Sequence, residues 1–396
     1  MIILGIHDGH NASASLIKDG KLICALGEER LSRGKHHYGY PKRAIQTVME
    51  TGGITSKDID HIAMSTKTLP PAYFYTRRNS TFSIADYWKE QREYWYPKLY
   101  EGKDPKYTEI FEDKIDLDQF PYDQSLIFNE KDHEGMWLAR IKHLSESLEV
   151  NEEIIRGHDH HRCHAYYGYA TCPYRDESVL LYTMDGGGDN TNGTVSIGEY
   201  GQPLEEISRS SNCNIGRMYR YATLNLNMKP TEHEFKVMGL AGYALKNNAF
   251  FGKLENFYSK TLDVKNAKFF YKLKPKDNYF YFKNLSKNIR FDTLAYFIQN
   301  FTENILEKWF LQIYEKYKIK NFIFSGGVAQ NIKATKNERV RLLLSHAHAN
   351  EWNGALVGSW STVGRTVGVE GAQQTILQHI PLFRPSQCSL RWSRIS

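Results

Sequence analysis

Two stretches of the sequence repeat one layout, and this repeat constrains the fold more than any other feature. The first stretch opens with an apolar run from Met1 to Gly9 that ends in Asp-Gly, followed by a hairpin pattern from Ala12 to Leu26. A helix is predicted from Pro41 to Glu50, with proline at its start and a glycine pair after its end. Ile59 to Met64 then predicts a short strand.

The second stretch repeats this β-meander. It starts at Ser178, reaches the run Asp185-Gly186-Gly187-Gly188-Asp189 and continues to Ile197. Helices are predicted between Phe291 and Lys316, before a buried strand from Asn321 to Phe324 that runs into Ser325-Gly326-Gly327. This order predicts an α/β protein of two similar lobes, as in the actin-like ATPases.

The same patterns suggest domain boundaries. We expect a first lobe over residues 1–175 and a second over residues 176–340, with an aromatic-rich insertion at about 67–145. Because clustered aromatic residues usually pack together, the insertion is predicted to be a helical subdomain with its own core, and the alternative is a wall that binds an acceptor. Residues 341–396 are atypical, because they contain neither lysine nor aspartate. We expect a reading-frame change or fusion near residue 340, with a divergent genuine tail as the alternative.

Composition narrows the class of function. The net charge of +6 is dispersed, so electrostatics do not demand a nucleic-acid partner. Five scattered cysteines do not suggest a disulfide framework. No apolar run approaches the roughly 18 residues of a membrane span, and the first residues lack a signal-peptide layout. We therefore expect a cytoplasmic protein without a membrane partner.

A histidine pair is the most informative short motif. His160 and His164 lie four residues apart, so they share one face if the segment is helical. Neutral imidazoles at this spacing suit zinc or iron, and a carboxylate would complete such a site. The alternative is a polar patch whose hydrogen bonds are satisfied within the protein.

Glycine-rich loops are candidates for phosphate binding. Asp8-Gly9 and the run that begins at Asp185 occupy equivalent points of the two meanders, where glycine permits close approach of backbone amides. Together with Ser325-Gly326-Gly327 they predict a nucleotide held between lobes. Lys35 follows the first hairpin and is a candidate to neutralise a phosphate or carbamoyl oxygen, although such charge runs are often solvated.

Five motifs appear in order and resemble those of the NodU/CmcH carbamoyltransferases over residues 1–336. They begin at Gly5, Glu28, His160, Glu234 and Ser325. The resemblance implies an actin-like fold related to the tRNA threonylcarbamoyl-transfer proteins. It implies Fe2+ or another divalent metal on His160 and His164, and His10 and Lys35 in contact with carbamoyl-adenylate. The nucleotide-binding residues that we predict are Asp8, Gly9, Asp185, Gly186, Gly187, Gly188, Asp189, Ser325, Gly326, Gly327 and Asn331.

The implied activity is O-carbamoyl transfer. In the family, a C-terminal YrdC-like domain makes carbamoyl-adenylate from carbamoyl phosphate and ATP, and the actin-like domain passes the carbamoyl group to a hydroxyl of a small molecule or sugar. The late Gly-Asp motif that supplies a carboxylate ligand in the family is not found in residues 341–396, and we expect the YrdC-like domain to be absent as well. We expect the chain to need a separate YrdC-like partner. The alternatives are an inactive nucleotide-binding remnant and a sugar kinase of the same superfamily.

Overall fold

The first lobe is built on a mixed β-sheet. A computed structural model describes residues 1–117, 120–172, 174, 177–245 and 257–335. The strand order is β3-β2-β1-β4-β5, in which β1 to β3 form an antiparallel meander and β4 and β5 run parallel to β1. The strands are β1 Ile2–His7, β2 Ser13–Lys18, β3 Lys21–Gly27, β4 His61–Met64 and β5 Ile155–Gly157.

The second lobe repeats the layout with the order β11-β6-β7-β8. Strands β6 to β8 form an antiparallel meander, and β11 runs parallel to β6. A separate hairpin pairs β9 with β10. The strands are β6 Val179–Gly188, β7 Thr191–Gly198, β8 Glu205–Ser210, β9 Leu262–Lys265, β10 Lys268–Tyr271 and β11 Asn321–Ser325. The duplicated arrangement confirms the predicted α/β fold of the actin-like ATPase type.

Helices cover the sheets and fill the segment between β4 and β5. The α-helices of the described residues are α1 Glu28–Ser32, α2 Lys42–Gly52, α3 Pro71–Tyr75, α4 Arg78–Thr81, α5 Ile84–Lys89, α6 Tyr107–Ile110, α7 His133–Leu148, α8 His160–Thr171, α9 Ile215–Asn225, α10 Glu234–Leu240, α11 Phe280–Leu285, α12 Phe291–Tyr317 and α13 Ile332–Thr335. π-Helical turns follow α5 at Glu90–Trp95 and Pro97–Glu101. Within these ranges, no helix combines the length and hydrophobicity needed to cross a membrane.

Each lobe has its own apolar core. In the first lobe, Leu4 and Leu16 of the sheet pack with Val48 of α2, and all three are fully buried. In the second lobe, one face of β6 packs on the 27-residue helix α12, where Tyr182 contacts Phe310. The cores fix the carboxyl ends of β1 and β6 next to the boundary between the lobes.

The aromatic insertion packs differently from the prediction. Its helices are present, and Tyr87, Tyr107 and Phe111 are buried as expected of packing residues. Their cluster also includes Leu224 and Tyr279 of the second lobe, so this core is shared rather than the insertion's own. The segment therefore joins the lobes. The atypical tail at 341–396 and the suspected frame change lie outside the described residues.

Candidate functional site

Two imidazoles and one carboxylate converge where α8 meets the end of β6. Helix α8 begins at His160, so His160 and His164 occupy successive turns of one face, as their spacing predicted. Their Nε2 atoms lie 3.1 Å apart. Oδ2 of Asp185 lies 3.2 Å from Nε2 of His160 and 3.4 Å from Nε2 of His164. We call these three residues the triad.

The spacing of the triad fits a metal ion. Ligand atoms about 2.1 Å from a cation lie about 3.0 Å apart at right angles and about 3.4 Å apart at tetrahedral angles. The three distances of the triad, 3.1, 3.2 and 3.4 Å, fall in this range. Two histidines and one carboxylate also match the ligand set of many Fe(II) sites with open positions. The imidazoles are each 12% exposed, so a ligand can reach one side.

The hydrogen bonds between Asp185 and the two histidines stabilise the ionised carboxylate. Burial raises the pKa of Asp185, but its hydrogen bonds with His160 and His164 outweigh burial and hold the pKa well below its usual range. Burial lowers the pKa of His160, yet the hydrogen bond to Asp185 leaves it above the ordinary value. For His164, burial dominates and the pKa is lowered. The site thus holds a carboxylate anion and an imidazole ready to coordinate.

Asp185 lies beside the histidine pair, and its predicted contact with a nucleotide stays a prediction. The sequence assigned Asp185 to the nucleotide and looked for the third ligand in a later Gly-Asp motif, but its carboxylate lies against both histidines. The glycines after it end strand β6 instead of forming a loop, and the turn falls at Asp189 and Asn190. A Cβ on Gly188 would lie 2.3 Å from the His160 ring, so glycine is required there by packing.

Asp189 connects the lobes rather than facing an open site. Its Oδ1 accepts hydrogen bonds from the Thr68 amide and hydroxyl, both at 2.7 Å, in the segment that follows β4. Its Oδ2 accepts from the His160 amide at 2.8 Å. These donors hold both oxygens within the protein, and the role of Asp189 at a nucleotide stays a prediction.

The carboxylate of Asp8 also forms hydrogen bonds within the protein. Both its oxygens accept from the Arg140 guanidinium, at 2.6 and 2.7 Å, and Oδ2 accepts from the Tyr122 hydroxyl at 3.0 Å. Burial raises the pKa of Asp8, but Arg140 more than offsets this and lowers it. The carboxylate therefore fixes the start of its loop, and its role at a nucleotide stays a prediction. A Cβ on Gly9 would lie 3.0 Å from the His7 ring, so Gly9 also serves packing.

His7 holds the loop that carries His10. The His7 ring lies 2.9 Å from the His10 carbonyl through Nε2 and 2.8 Å from the Ser65 hydroxyl through Nδ1. Burial lowers the pKa of His10 to about 4, with Asp185 opposing this change and His160 adding to it. His10 is thus neutral at pH 7 and lies within the electrostatic field of the triad.

Lys35 lies at the edge of the cleft and is paired. Its side chain is 67% exposed, and its ammonium contacts Glu232 of the second lobe. Lys229 holds the same carboxylate at 2.9 Å. The cation is therefore near the boundary of the lobes, as its predicted role requires, but a ligand would have to replace Glu232.

The last glycine motif is mainly structural. The Ser325 hydroxyl donates to the His164 carbonyl at 3.0 Å, and the Asn331 amide exchanges hydrogen bonds with Gln299 at 2.9 and 3.0 Å. These bonds hold both side chains within the protein, and nucleotide binding by Ser325 and Asn331 stays a prediction. Gly326 has a φ of +95°, and a Cβ there would lie 2.4 Å from the Met184 carbonyl oxygen. Gly327 begins a short 3-10 helix that ends at Gln330, and its contact with a nucleotide stays a prediction.

Three arginines near the site were missed by the sequence analysis. Arg140 reaches Asp8 from α7, and the guanidinium of Arg217 on α9 donates to the Gly186 carbonyl at 2.7 Å. Arg220 lies one turn after Arg217. These arginines are separated in sequence from the glycine motifs, so the motifs gave no indication that they lie nearby in the fold. The one available signal was a pair of arginines at helical spacing directly after the second meander.

The comparisons with known proteins show the family of this chain. Residues 2–346 match the family described as carbamoyltransferase N-terminus, and the chain belongs to this family. An uncharacterized protein of Methanocaldococcus jannaschii is 26% identical over 345 residues, which cover 84% of this chain and 51% of the relative. The nodulation protein NolNO of Sinorhizobium fredii is 27% identical over 236 residues, covering 59% of this chain and 28% of NolNO. The chain therefore spans about half or less of the length of these two relatives.

Solved structures are more distant. Component A of the (R)-2-hydroxyglutaryl-CoA dehydratase of Acidaminococcus fermentans is 13% identical, with 95% of this chain and 99% of that chain covered and a TM-score of 0.43. The ROK hexokinase of Thermus thermophilus is 11% identical, with 91% and 97% covered and a TM-score of 0.39. Similarity at this level adds nothing to the topology described above.

Proposed function

We propose that this chain passes a carbamoyl group from carbamoyl-adenylate to a hydroxyl of a small molecule or sugar. The observation that supports this most is the convergence of the triad with His10 at the boundary of the lobes, in a member of the carbamoyltransferase N-terminus family. Transfer requires a site that stabilises negative charge on an acyl oxygen and accepts a proton from the hydroxyl. The triad and His10 are suited to these two tasks.

We propose His160, His164 and Asp185 as ligands of Fe2+ or another divalent metal. Their donor set and spacing fit such an ion, as shown above. When bound, the ion supplies Lewis-acid polarisation of a substrate oxygen. Second-sphere contacts hold the ligands in place, because the His160 amide is bonded to Asp189 and the His164 carbonyl to Ser325.

His10 is proposed as the group beside the reacting hydroxyl. With a pKa of about 4 it is neutral at pH 7, so one ring nitrogen can accept the hydroxyl proton. The hydroxyl oxygen bonds to the carbamoyl carbon, the bond from that carbon to the phosphate oxygen breaks, and AMP leaves. Lys35 would stabilise the anionic donor after exchanging its partner Glu232 for the ligand.

The nucleotide is proposed to approach the glycine run after Asp185. Among the described residues, no atom beyond the two chain neighbours lies within 4 Å of a Cβ built on Gly186, so the backbone is open to a ligand at this point. The backbone around this site would be held in place by the internal hydrogen bonds of Asp8, Asp189, Ser325 and Asn331. By analogy with the NodU/CmcH carbamoyltransferases that the chain resembles, we propose that a YrdC-like domain supplies carbamoyl-adenylate from carbamoyl phosphate and ATP.

A transfer assay tests this function. The chain is incubated with carbamoyl phosphate, ATP and a panel of sugars and alcohols, with and without a YrdC-like domain, and carbamoylated product and bound metal are measured. We expect product only when the domain is added, and divalent metal in the wild-type protein. His164→Ala is the matched variant, and we expect it to lose both. No product and no metal under any condition would refute the proposal.

A further inference from the structure

Two arginines of α9 lie near the glycine run that follows Asp185, and neither forms a salt bridge within the described residues. Arg217 and Arg220 are three residues apart and therefore share one face of the helix. The first turn of α9 packs on the glycine run, because a Cβ on Gly216 would lie 3.0 Å from the Gly186 amide nitrogen. The first turn of α9, which carries Arg217, therefore lies against the residue that follows Asp185 in the chain.

Arg217 lies against the backbone of the glycine run. Its Nε donates to the Gly186 carbonyl at 2.7 Å, and its Nη2 would be 2.9 Å from a Cβ on Gly187. One edge of the guanidinium is therefore held by the protein while the side chain stays exposed. In the part of the chain that the structure describes, Arg217 forms no salt bridge, so its charge is available to a ligand.

Arg220 is half-buried, and its Nε is shielded from solvent without a hydrogen-bond partner. Charged side chains withdrawn from water are normally paired, because desolvation is costly. Among the described residues Arg220 has no acidic partner at salt-bridge distance. Its charge acts on His10 of the first lobe and on Glu234 of α10, so the guanidinium lies where the lobes meet. A guanidinium that forms no salt bridge in the described part of the chain is suited to an anion site.

We propose that Arg217 and Arg220 form an anion site that binds the phosphate of the carbamoyl donor next to the triad. The planar guanidinium donates two parallel hydrogen bonds to phosphate oxygens, and the amino end of α9 adds partial positive charge. This inference rests on the proposed function, because it names the residues that hold the anionic group of the donor. The carbamoyl group would then extend from the arginines toward His10 and Asp185.

The test compares AMP with adenosine, which differ by the phosphate. Dissociation constants for both are measured by calorimetry in the wild type, Arg217→Met, Arg220→Met and the control Arg92→Met, which removes an exposed arginine of the insertion. Charge-assisted hydrogen bonds contribute about 1.5–3 kcal/mol, so we expect each α9 variant to bind AMP about 10- to 100-fold more weakly. Adenosine binding should be unchanged in all four proteins, and the control should bind AMP like the wild type.

Two further variants keep the test decisive if a methionine variant does not fold. Arg217→Lys and Arg220→Lys keep the charge but lose the bidentate donor, so the AMP preference should be intermediate. Equal AMP preference in wild type and all α9 variants would overturn the inference, as would a wild type that binds AMP no better than adenosine. Metal content and transfer activity are measured separately, so the proposed function can stand or fall independently.

Discussion

Replacing Arg140 with methionine tests whether Asp8 holds the structure together. The side chains of Arg140 and Asp8 are 1% and 2% exposed, and two hydrogen bonds of 2.6 and 2.7 Å join them. Arg140→Met would leave a buried carboxylate with the Tyr122 hydroxyl as its remaining side-chain donor. It would also remove the donors to the carbonyls of Thr66 and Lys67.

Removing one partner of a buried ion pair costs about 3–5 kcal/mol, because an uncompensated charge remains. Folded proteins are stable by about 5–15 kcal/mol, so Arg140→Met should lose a large part of the total. Asp8→Asn with Arg140→Met leaves no buried charge, and we expect this double variant to be more stable than Arg140→Met alone. A double-mutant cycle isolates the coupling between the two side chains.

The assay is urea unfolding followed by circular dichroism at pH 7, with Lys142→Met as control, since Lys142 lies on the same helix in a solvent-exposed pair. Because the pKa of Asp8 is lowered from 3.8, its stabilising contribution is complete above 3.8 and is lost as the pH falls through the folded-state value. The difference between wild type and Arg140→Met should therefore shrink in acid. An Arg140→Met protein that unfolds like the wild type would refute this reasoning, as would an Asp8→Asn protein that loses only nucleotide binding.

Other predictions concern the triad and its supports. His160→Ala and His164→Ala should each abolish retention of divalent metal, measured by elemental analysis, and unchanged content in both would contradict the triad as a site. Asp185→Asn should weaken metal binding at least tenfold while thermal unfolding stays close to the wild type, whereas equal affinity would remove Asp185 from the ligand set. Gly188→Ala should also lower metal affinity, because its methyl group meets the His160 ring at 2.3 Å, and an unaltered cobalt spectrum would argue against this clash. Gly326→Ala should destabilise the fold by about 1–3 kcal/mol or more, because φ is +95° there, and a wild-type melting temperature would disprove this.

The secondary structure around the site could be predicted from the sequence, because strands, turns and helices depend mainly on residues that are close together in the chain. Alternating apolar residues and an Asp-Gly turn defined the first hairpin, and the apolar run from Val179 continued as β6. The four-residue spacing of His160 and His164 needed only a helix to bring the imidazoles together. Such features depend on neighbours within one or two turns of the chain.

The roles of the acidic residues could not be predicted in this way. Arg140 pairs with Asp8 across 132 positions, and nothing near Asp8 indicated that its charge was already neutralised. Asp185 reaches the histidines because β6 runs antiparallel to β7 and ends beside α8, which is a tertiary relation. An Asp-Gly motif predicts a ligand or a turn equally well until its partners are known.

The contacts of Asp189 imply an axis for relative motion of the lobes. Its carboxylate, in the second lobe, accepts hydrogen bonds from Thr68 and His160 of the first lobe, whereas Lys35 and Glu232 meet across an exposed edge, where ion pairs contribute only about 0–1 kcal/mol. When the lobes open for substrate entry, we expect Lys35 and Glu232 to separate while the contacts of Asp189 act as the hinge. The amide hydrogens of Thr68 and His160, which both bond to Asp189, would then stay protected from exchange, whereas amides near Lys35 would exchange faster.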